Sequence, residues 1–371
     1  MTGSKTRFAG VLYQNIAKPI LFLFDPESVH KSFINIGKFL GGNAVTKGIT
    51  RWVYYYRNPA LTQNILGIRF ESPVGLSAGF DKDAEIISIC EDLGFGFTEV
   101  GSVTKLASSG NPGKRLGRLP ERKSLWVNLG LNNKGADSIS SGLRNESYEI
   151  PFGVSIAKTN CRETVNDRIG KEDYLYSLKK FNSRNVGAYY TLNISCPNAY
   201  GGQPFSRPAA YEALLKGCDA LHIKKPIFVK LSPDLTKKNV NAIIEISKRH
   251  KVDGFVISNL TKRHNFGEGG LSGKAVEKHA NDMLKYVYRK TKGRFILIGV
   301  GGIFSAEDAY RKIQYGANLV ELITGMIYQG PNLISEINIG IAELLRMDGF
   351  KSIEEAVGSG INKRHLHRHA K

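Results

Sequence analysis

Residues 189–198, Tyr-Tyr-Thr-Leu-Asn-Ile-Ser-Cys-Pro-Asn, combine the pattern of a buried strand with a thiol and two carboxamides. The apolar run ends at Asn193, and Cys196 and Asn198 follow it. Pro197 fixes its own φ and favours an extended backbone at Cys196, so the thiol lies on a stiff loop. The two amides beside this thiol can orient a flat polar molecule. The pattern predicts an active site.

Cys196 is the candidate general base or nucleophile of this site. A free thiol has a pKa of about 8.5 and ionises near neutrality where its surroundings favour the anion. The structural alternative is an inert buried cysteine, one of the most buried residue types. His30 and the other mid-chain histidines lie outside the strand-end motifs. A Cys–His pair therefore has no evident partner, which favours proton transfer over acyl chemistry.

From residue 73 onward, short apolar runs that end in polar turns alternate with helical patterns. Such alternation predicts a parallel sheet, and eight β/α units over about 250 residues are what a TIM barrel requires. We therefore predict an α/β fold, a TIM (β/α)8 barrel with an N-terminal two-helix extension. The expected strands are 73–79, 97–102, 152–157, 189–195, 226–231, 254–259, 295–302 and 319–325.

Polar side chains gather at the carboxyl ends of the expected strands, the face that carries the chemistry of TIM barrels. One polar residue at a strand end is ordinary, but several around one rim favour a binding site over turn chemistry. These residues are Lys82, Ser102, Asn193, Cys196, Lys230, Ser258 and Asn259.

Glycines at the ends of the last two expected strands predict a phosphate site. The seventh strand ends in Gly299-Val-Gly-Gly302 and the eighth in Thr324-Gly325. Glycine lets backbone N–H groups approach an anion closely, and the loops after strands seven and eight often hold phosphate in barrels. The alternative is that these glycines only permit tight turns. A phosphate-bearing cofactor would lie across the barrel mouth.

Two lysines at the rim have more than one interpretation. Lys230 stands between the apolar Val229 and Leu231, which disfavours a surface lysine. It fits either a Schiff-base nucleophile or a fixed positive charge beside an electron-rich cofactor. Lys82 can pair with Asp81 or Asp83, and such a pair does not exclude contact with a ligand.

The N-terminal segment is apolar over residues 16–24 and continues as a second helical segment through Leu40. Asp25 fits an N-cap with Pro26 at the first helical position. No apolar run approaches the roughly 20 residues that span a bilayer. Two short amphipathic helices either pack against the barrel or form an apolar platform on a membrane surface. The second segment places apolar residues at helical spacing, namely Val29, Phe33, Ile36 and Leu40.

The chain is strongly basic, with a net charge of +19 over 371 residues. The basic residues are spread along the sequence without an aromatic-interleaved run, which predicts a generally basic surface and no nucleic-acid site. Four cysteines without close spacing give neither a zinc pattern nor a disulfide framework and suggest a reducing, cytosolic setting. Residues 363–371 are expected to be a solvated tail, and a metal site at its three histidines is the weaker interpretation.

Five motifs together resemble the dihydroorotate dehydrogenase family. The resemblance covers about residues 20–345, and FDPESVH (24–30) after an apolar helix is similar to the quinone-reducing class 2 branch. The five motifs are SPVGLSAGFDK (72–82), EVGSVT (99–104), NISCPN (193–198), GGLSG (269–273) and LIGVGGI (297–303).

This resemblance implies FMN-dependent oxidation of dihydroorotate to orotate in pyrimidine biosynthesis, with a quinone as electron acceptor. It implies that Cys196 is the catalytic base and that His30 and Arg118 lie near the quinone. It also implies a protein held peripherally on the inner face of the cell membrane. The FMN residues would be Ala78, Gly79, Lys82, Ser102, Ser155, Asn193, Lys230, Ser258, Gly273, Gly302 and Thr324. The substrate residues would be Lys82, Asn128, Gly130, Leu131, Asn193, Asn198 and Asn259.

On this basis we expect three parts. Residues 1–45 would be amphipathic helices that form the membrane and quinone platform, 46–350 the FMN-binding barrel, and 351–371 a basic tail.

The chain departs from the family pattern at several positions. Cysteine at 196 is typical of class 1, whereas class 2 has serine. Val127 or Asn128 stands for a substrate asparagine, and Ser155 for an asparagine on the flavin side. Other departures are Leu260 and Ile323.

These departures leave alternatives open. One is a divergent FMN barrel that acts on another cyclic dihydro compound or uses a soluble acceptor. A second is a phosphate-binding barrel with Lys230 as a Schiff base. A third is a non-enzymatic basic protein that binds membranes or nucleic acid.

Overall fold

The computed structural model describes residues 2–361, and eight parallel strands close into a barrel at its centre. The strands are β1 (Gln63–Ile65), β2 (Ile68–Phe70), β3 (Val74–Leu76), β4 (Phe97–Val103), β5 (Leu116–Leu119), β6 (Ser124–Val127), β7 (Phe152–Ile156), β8 (Tyr189–Asn193), β9 (Ile227–Leu231), β10 (Gly254–Ile257), β11 (Gly270–Leu271), β12 (Ile296–Val300) and β13 (Leu319–Leu322). Around the barrel the strand order is β3-β4-β7-β8-β9-β10-β12-β13, and β13 pairs with β3 to close it.

The eight expected strands are confirmed, with ends that differ by a few residues. They were recognisable because strands of a parallel barrel are buried on both faces and read as continuous apolar runs. Strand β9, Ile-Phe-Val-Lys-Leu, is buried at every position. The first expected strand, 73–79, is a regular strand only over Val74–Leu76, since the chain then turns into the barrel mouth.

Helices surround the barrel and follow its strands. The helices are α1 (Thr2–Leu12), α2 (Lys18–Leu21), α3 (Pro26–Gly41), α4 (Ala44–Tyr54), α5 (Ile87–Cys90), α6 (Ala136–Gly142), α7 (Asp167–Ser183), α8 (Pro208–Asp219), α9 (Lys237–Ser247), α10 (Lys274–Thr291), α11 (Ala306–Gln314), α12 (Thr324–Gln329), α13 (Asn332–Met347) and α14 (Ile353–Ala356). In the part of the chain that the structure describes, no helix is long and apolar enough to cross a membrane.

The N-terminal extension contains more helix than the two segments expected. Helix α1 begins at Thr2, a π-helical turn over Tyr13–Ala17 joins it to α2, and α4 follows α3. The extra helix was missed because Phe8 and Val11 of α1 are exposed and do not form an apolar stripe toward the core. Side-chain contacts hold α1 instead, such as the bond from Thr6 Oγ1 to the Val53 carbonyl at 2.8 Å.

Helix α3 begins where the sequence indicates. The Asp25 carboxylate accepts a hydrogen bond from the Ser28 backbone N–H at 2.8 Å, with Pro26 at the first helical position. This cap satisfies one of the free N–H groups of the first turn. The helix packs on the core through Ile34 and Gly37.

Two small sheets outside the barrel were not predicted. The hairpin β1–β2 places Ile65 and Phe70 against the lower barrel core, where Phe70 stacks edge-on with Phe97 at 5.4 Å between centroids. The antiparallel sheet β11-β6-β5 lies beside α3. These strands have two to four residues each, too few to show a period in the sequence.

The residues after α13 form a short helix, α14, with Ile353 and Ala356 fully buried. The tail expected at 363–371 lies outside the described residues.

Candidate functional site

One cavity of about 810 Å³ extends from the carboxyl ends of the barrel strands to the N-terminal helices. Parallel strands in a closed barrel bring residues far apart in sequence to one rim, so the expected strand-end side chains meet here. Of the predicted residues, those that line this cavity are Ala78, Gly79, Lys82, Ser102, Gly130, Leu131, Asn193, Cys196, Asn198, Lys230, Ser258, Asn259, Gly273, Gly302 and Thr324, together with His30 and Arg118.

Asn193, at the end of β8, is the centre of a hydrogen-bond network across the barrel mouth. Its Nδ2 donates to Ser102 Oγ at 2.8 Å, and its Oδ1 accepts from Ser195 Oγ at 3.1 Å. Asn259 Nδ2 reaches both Ser195 Oγ, at 3.0 Å, and Asn193 Oδ1, at 3.3 Å. These bonds fix the orientation of both carboxamides, which leaves Asn259 and Asn193 as rigid contacts for a planar polar ligand.

Cys196 faces the cavity from the loop after β8 and is partly exposed there. Burial is the main influence and raises the pKa of its thiol, while the backbone N–H groups of Asn198 and Ala199 and the cation of Lys158 lower it. The lowering groups favour the thiolate but do not outweigh burial. A raised pKa makes the Cys196 thiolate a stronger base but lowers the fraction of it that forms near neutrality.

A cation and an unpaired amide also face the cavity. Burial lowers the pKa of Lys82 to about 8, with opposing contributions from Glu27, Asp83 and Asp81. The Oδ1 of Asn198 is buried without a hydrogen-bond partner among the described residues. A buried acceptor without a partner costs stability, so this oxygen fits a donor on a bound ligand.

The glycine positions form a narrow backbone cradle at one end of the cavity. Gly273 has φ +78° and precedes α10, and a Cβ there would lie 2.4 Å from the Lys123 carbonyl oxygen. Gly302 has φ +79°, and a Cβ there would lie 2.3 Å from the Glu277 Cβ. Thr324 Oγ1 pairs with Ser272 Oγ at 2.8 Å across this cradle. Glycine backbone and a helix N-terminus together suit a phosphate.

Two predicted residues do not reach the cavity. Ser155 lies behind Ser102, with 2.7 Å between their hydroxyl oxygens. Asn128 turns away, and its Oδ1 accepts from Asn111 Nδ2 at 2.8 Å. Val127 lines the cavity in its place. Ser155 can therefore influence the site only through Ser102, and Asn128 only through Asn111.

Sequence reasoning missed Asn132. It lines the cavity, and its Oδ1 is buried without a partner in the described part of the chain. The neighbouring Asn133 instead holds the backbone, with Oδ1 accepting from the Gly135 N–H at 2.8 Å. The sequence Gly-Leu-Asn-Asn at 130–133 predicts only a turn, and nothing in it distinguishes the roles of the two asparagines.

The far end of the cavity lies between α2, α3 and β5. His30 Nε2 bonds the Phe80 carbonyl at 2.8 Å, which places the proton on Nε2. Burial is the main cause that lowers the pKa of His30 to about 4, followed by the charge of Lys82. Arg118 donates to the Phe24 carbonyl at 2.7 Å. This end carries mostly apolar side chains together with the Arg118 cation, unlike the polar strand ends.

Fold and site together define an enzyme of the (β/α)8-barrel class with a deep cavity at the carboxyl ends of its strands. The family model of dihydroorotate dehydrogenase matches residues 60–345. A protein of Gloeobacter violaceus named dihydroorotate dehydrogenase (quinone) is 34% identical over 350 residues, which covers 92% of this chain and 98% of that protein. One of Haloarcula marismortui with the same name is 37% identical over 355 residues, covering 94% and 99%.

Comparison with solved structures indicates the same family. The ligand-free enzyme of Eimeria tenella, described as DHODH, superposes with a TM-score of 0.81 at 27% identity and covers 90% of this chain and 99% of that one. The chain belongs to the dihydroorotate dehydrogenase family.

Proposed function

We propose that this chain oxidises dihydroorotate to orotate in de novo pyrimidine biosynthesis, with FMN as cofactor and a quinone as electron acceptor. The observation that carries the proposal is the single cavity that joins Cys196 and Lys230 to His30 and Arg118. Such a cavity lets substrate and acceptor reach opposite ends of one site. The names of the curated relatives support the same activity.

The residues present fit FMN. Gly273, Gly302 and Thr324 would hold its phosphate in the glycine cradle. Lys230, 4% exposed at the end of β9, would place a positive charge beside the ring system. Ala78, Gly79, Ser102, Asn193 and Ser258 would line the remaining surface. When bound, FMN supplies a two-electron acceptor at the centre of the cavity.

The chain itself supplies the base and the orientation of the substrate. Cys196 takes a proton from the ring carbon next to the one that loses hydride. Lys82 faces the substrate carboxylate, and Asn193, Asn198 and Asn259 face its ring amides and carbonyls. Because Asn193 and Asn259 are fixed by mutual hydrogen bonds, they need little reorganisation when substrate binds.

The quinone end fits the N-terminal helices. Leu21 and Phe22 of the extension and Phe33 of α3 line the cavity together with His30 and Arg118. His30 would be neutral at pH 7, since burial lowers its pKa to about 4. The Nε2–H is already donated to the Phe80 carbonyl, so an uncharged imidazole and an apolar lining would face the uncharged quinone ring.

We also place this end of the protein on a membrane surface. The N-terminal helices expose large apolar side chains that the barrel does not cover. Apolar side chains flanked by lysine and arginine favour a peripheral position on an anionic bilayer. The most exposed are Phe8, Val11, Ile16, Leu23, Phe24, Phe39, Val45, Ile49 and Trp52.

The visible spectrum of the purified protein tests the proposal. Bound FMN should make the protein yellow, anaerobic dihydroorotate should bleach it, and a short-chain quinone should restore the colour. A flavin that dihydroorotate leaves oxidised would rule out this substrate. Recovery with NAD⁺ or fumarate but not with quinone would rule out this acceptor.

A second candidate keeps FMN and changes the substrate to another cyclic dihydro compound. It rests on Val127 lining the cavity where the family resemblance implied an asparagine. Losing one hydrogen bond to substrate costs about 1 kcal/mol. Bleaching by dihydrouracil or dihydrothymine faster than by dihydroorotate would favour this candidate.

A further inference from the structure

Directly below the cavity, three ionisable side chains meet inside the barrel. Lys230 Nζ lies 4.0 Å from Glu99 Oε1 and 4.0 Å from Glu321 Oε2. Both carboxylates are 0% exposed. Lys230 Nζ also donates to Ser77 Oγ at 3.2 Å, and Lys230 and Ser77 both line the cavity. The cluster is therefore part of the floor on which a bound ligand would rest.

The strands explain how three such residues come together. Glu321 on β13 is paired in register with Gly75 of β3, and Glu99 on β4 with Gly153 of β7. A Cβ at Gly75 would clash with the Phe97 ring and one at Gly153 with the Tyr189 ring, so these glycines make room for the two rings inside the barrel. Lys230 then enters from β9 on the opposite side of the barrel.

The two carboxylates differ in their partners. Glu99 Oε2 accepts from Thr191 Oγ1 at 2.6 Å. Both oxygens of Glu321 are buried without a hydrogen bond of normal geometry in the described part of the chain. One lysine cannot neutralise two carboxylates, and an unpaired buried charge is costly. One proton shared by the pair, held on Glu321, leaves the cluster neutral.

We infer that Glu321 is a proton-holding positioning residue that acts through Lys230 and sets the net charge beneath the flavin site. With the proton on Glu321 the cluster is neutral, and without it the cluster carries one negative charge under the cofactor. A negative charge there opposes electron uptake. The reduction potential of the bound flavin then depends on whether Glu321 is protonated. This inference rests on the proposed flavin site.

The surroundings support protonation of Glu321 near neutrality. Burial and the charge of Glu99 raise the pKa of Glu321 to about 8, against the lowering by Lys230 and by the Ser77 hydroxyl. Burial also raises the pKa of Glu99, while Lys230 and Thr191 lower it. Two further ionisable groups interact with the cluster. Burial raises the pKa of Tyr189 well above the usual range, so it stays neutral. The charge of Lys230 also acts on Cys196, whose pKa burial raises.

The near-isosteric variant Glu321→Gln tests this inference by its flavin midpoint potential as a function of pH. Below pH ~6 the variant and the wild type should agree, because Glu321 is protonated there. Above pH ~9 the variant should be reduced about tenfold more readily, which is about 30 mV for a two-electron couple. The matched control, Glu343→Gln on the exposed face of α13, should follow the wild type throughout.

Infrared spectroscopy of the FMN-free protein gives a second result that does not need the flavin. Because Asp81 and Glu91 also have raised pKa values, the result is read as a difference spectrum at pH ~7. One carbonyl band of a buried protonated carboxyl, present in the wild type and in Glu343→Gln, should be lost in Glu321→Gln. An unchanged band, or a potential shifted equally at every pH, would overturn the inference. A protein without flavin would refute the proposed function and leave the infrared result to decide the protonation of Glu321.

Discussion

The guanidinium of Arg118 stacks over the ring of Phe22, 4.6 Å from its centroid. Arg118 belongs to β5, whereas Phe22 directly follows α2, so this contact ties the small sheet to the N-terminal extension at the far end of the cavity. A cation over an aromatic face contributes about 0.5–2 kcal/mol. The contact therefore fixes the wall along which an acceptor would enter.

Arg118→Ala should impair the quinone half-reaction alone. We expect a higher KM for quinone, by about tenfold for the loss of one such contact. Bleaching of the flavin by dihydroorotate should keep its rate, because Arg118 belongs to the small sheet outside the barrel and not to the strand ends. Arg122→Ala is the control, since Arg122 stacks on Phe266 at 5.4 Å and does not line the cavity. Equal loss in both half-reactions would contradict a role at the quinone end.

Cys196→Ala should abolish most of the reduction of flavin by dihydroorotate. Loss of a general base costs about 10²–10⁴-fold, and bound FMN should be unaffected. Because burial raises the pKa of Cys196, wild-type reduction should still rise with pH above the usual range of a thiol. Cys196→Ser should shift that rise to higher pH, since a hydroxyl ionises less readily. Stopped-flow bleaching measures both.

Cys161→Ser is the matched control for this prediction. Cys161 is partly exposed, its Sγ lies 3.8 Å from Thr164 Oγ1, and it does not line the cavity. Its reduction rate and pH profile should match the wild type. If Cys196→Ser bleaches at the wild-type rate with an unshifted profile, the thiol is not the base.

The barrel strands and most of the rim could be predicted because short stretches of the sequence indicate both which segments are buried and the order of the parallel strands. An apolar run marks a strand such as β9, and parallel order places Asn193 and Lys230 side by side in register. Asn132 could not be predicted, because its orientation depends on the packing of the loop after β6. Nor could the Glu99–Glu321 cluster, since the sequence does not show which buried side chains face one another across a barrel.

Thr324→Val should weaken the binding of FMN through its phosphate. The substitution removes the 2.8 Å hydrogen bond to Ser272 and a hydroxyl that faces the glycine cradle. The loss of a hydrogen bond to a charged group is about 1.5–3 kcal/mol, or roughly tenfold to a hundredfold in Kd. Riboflavin, which lacks the phosphate, should bind wild type and variant alike. Fluorescence titration of the FMN-free protein measures both ligands.

Thr291→Val serves as the control for the phosphate prediction. Thr291 ends α10, where its hydroxyl bonds the Val287 carbonyl at 2.9 Å away from the cavity. Its affinity for FMN should be unchanged. A Thr324→Val variant that loses riboflavin and FMN affinity equally would place the phosphate elsewhere.

His30 should make the protein less stable as the pH falls. Its pKa in the folded state is lowered to about 4, mainly by burial, so the unfolded chain binds the additional proton first. The stabilisation is fully present above the unfolded pKa of about 6.5 and is lost as the pH falls toward 4. His30→Gln should remove this dependence and flatten the curve. Urea unfolding between these pH values measures it.

The matched control for the pH prediction is His264→Gln. His264 Nε2 bonds the Gly269 carbonyl at 3.3 Å outside the cavity. This variant should retain the wild-type slope of stability against pH. If His30→Gln keeps that slope as well, protonation of His30 is not coupled to unfolding.

Leu23 and Phe24 should contribute to membrane binding. They are 83% and 59% exposed between α2 and α3. Burying such side chains contributes about 1.5–3 kcal/mol each. Leu23→Ser combined with Phe24→Ser should therefore reduce cosedimentation with anionic phosphatidylglycerol vesicles by at least about tenfold. Added salt should weaken wild-type binding further, because basic residues contribute.

Leu106→Ser is the control for membrane attachment. Leu106 is 57% exposed in the loop after β4, away from the N-terminal helices, so its loss should leave vesicle binding intact. Turnover with a water-soluble short-chain quinone should be unchanged in all three proteins, since Leu23, Phe24 and Leu106 do not line the cavity. Equal vesicle binding by the double variant and the wild type would show that these residues do not contact the bilayer. The basic surface would then account for any binding that salt removes.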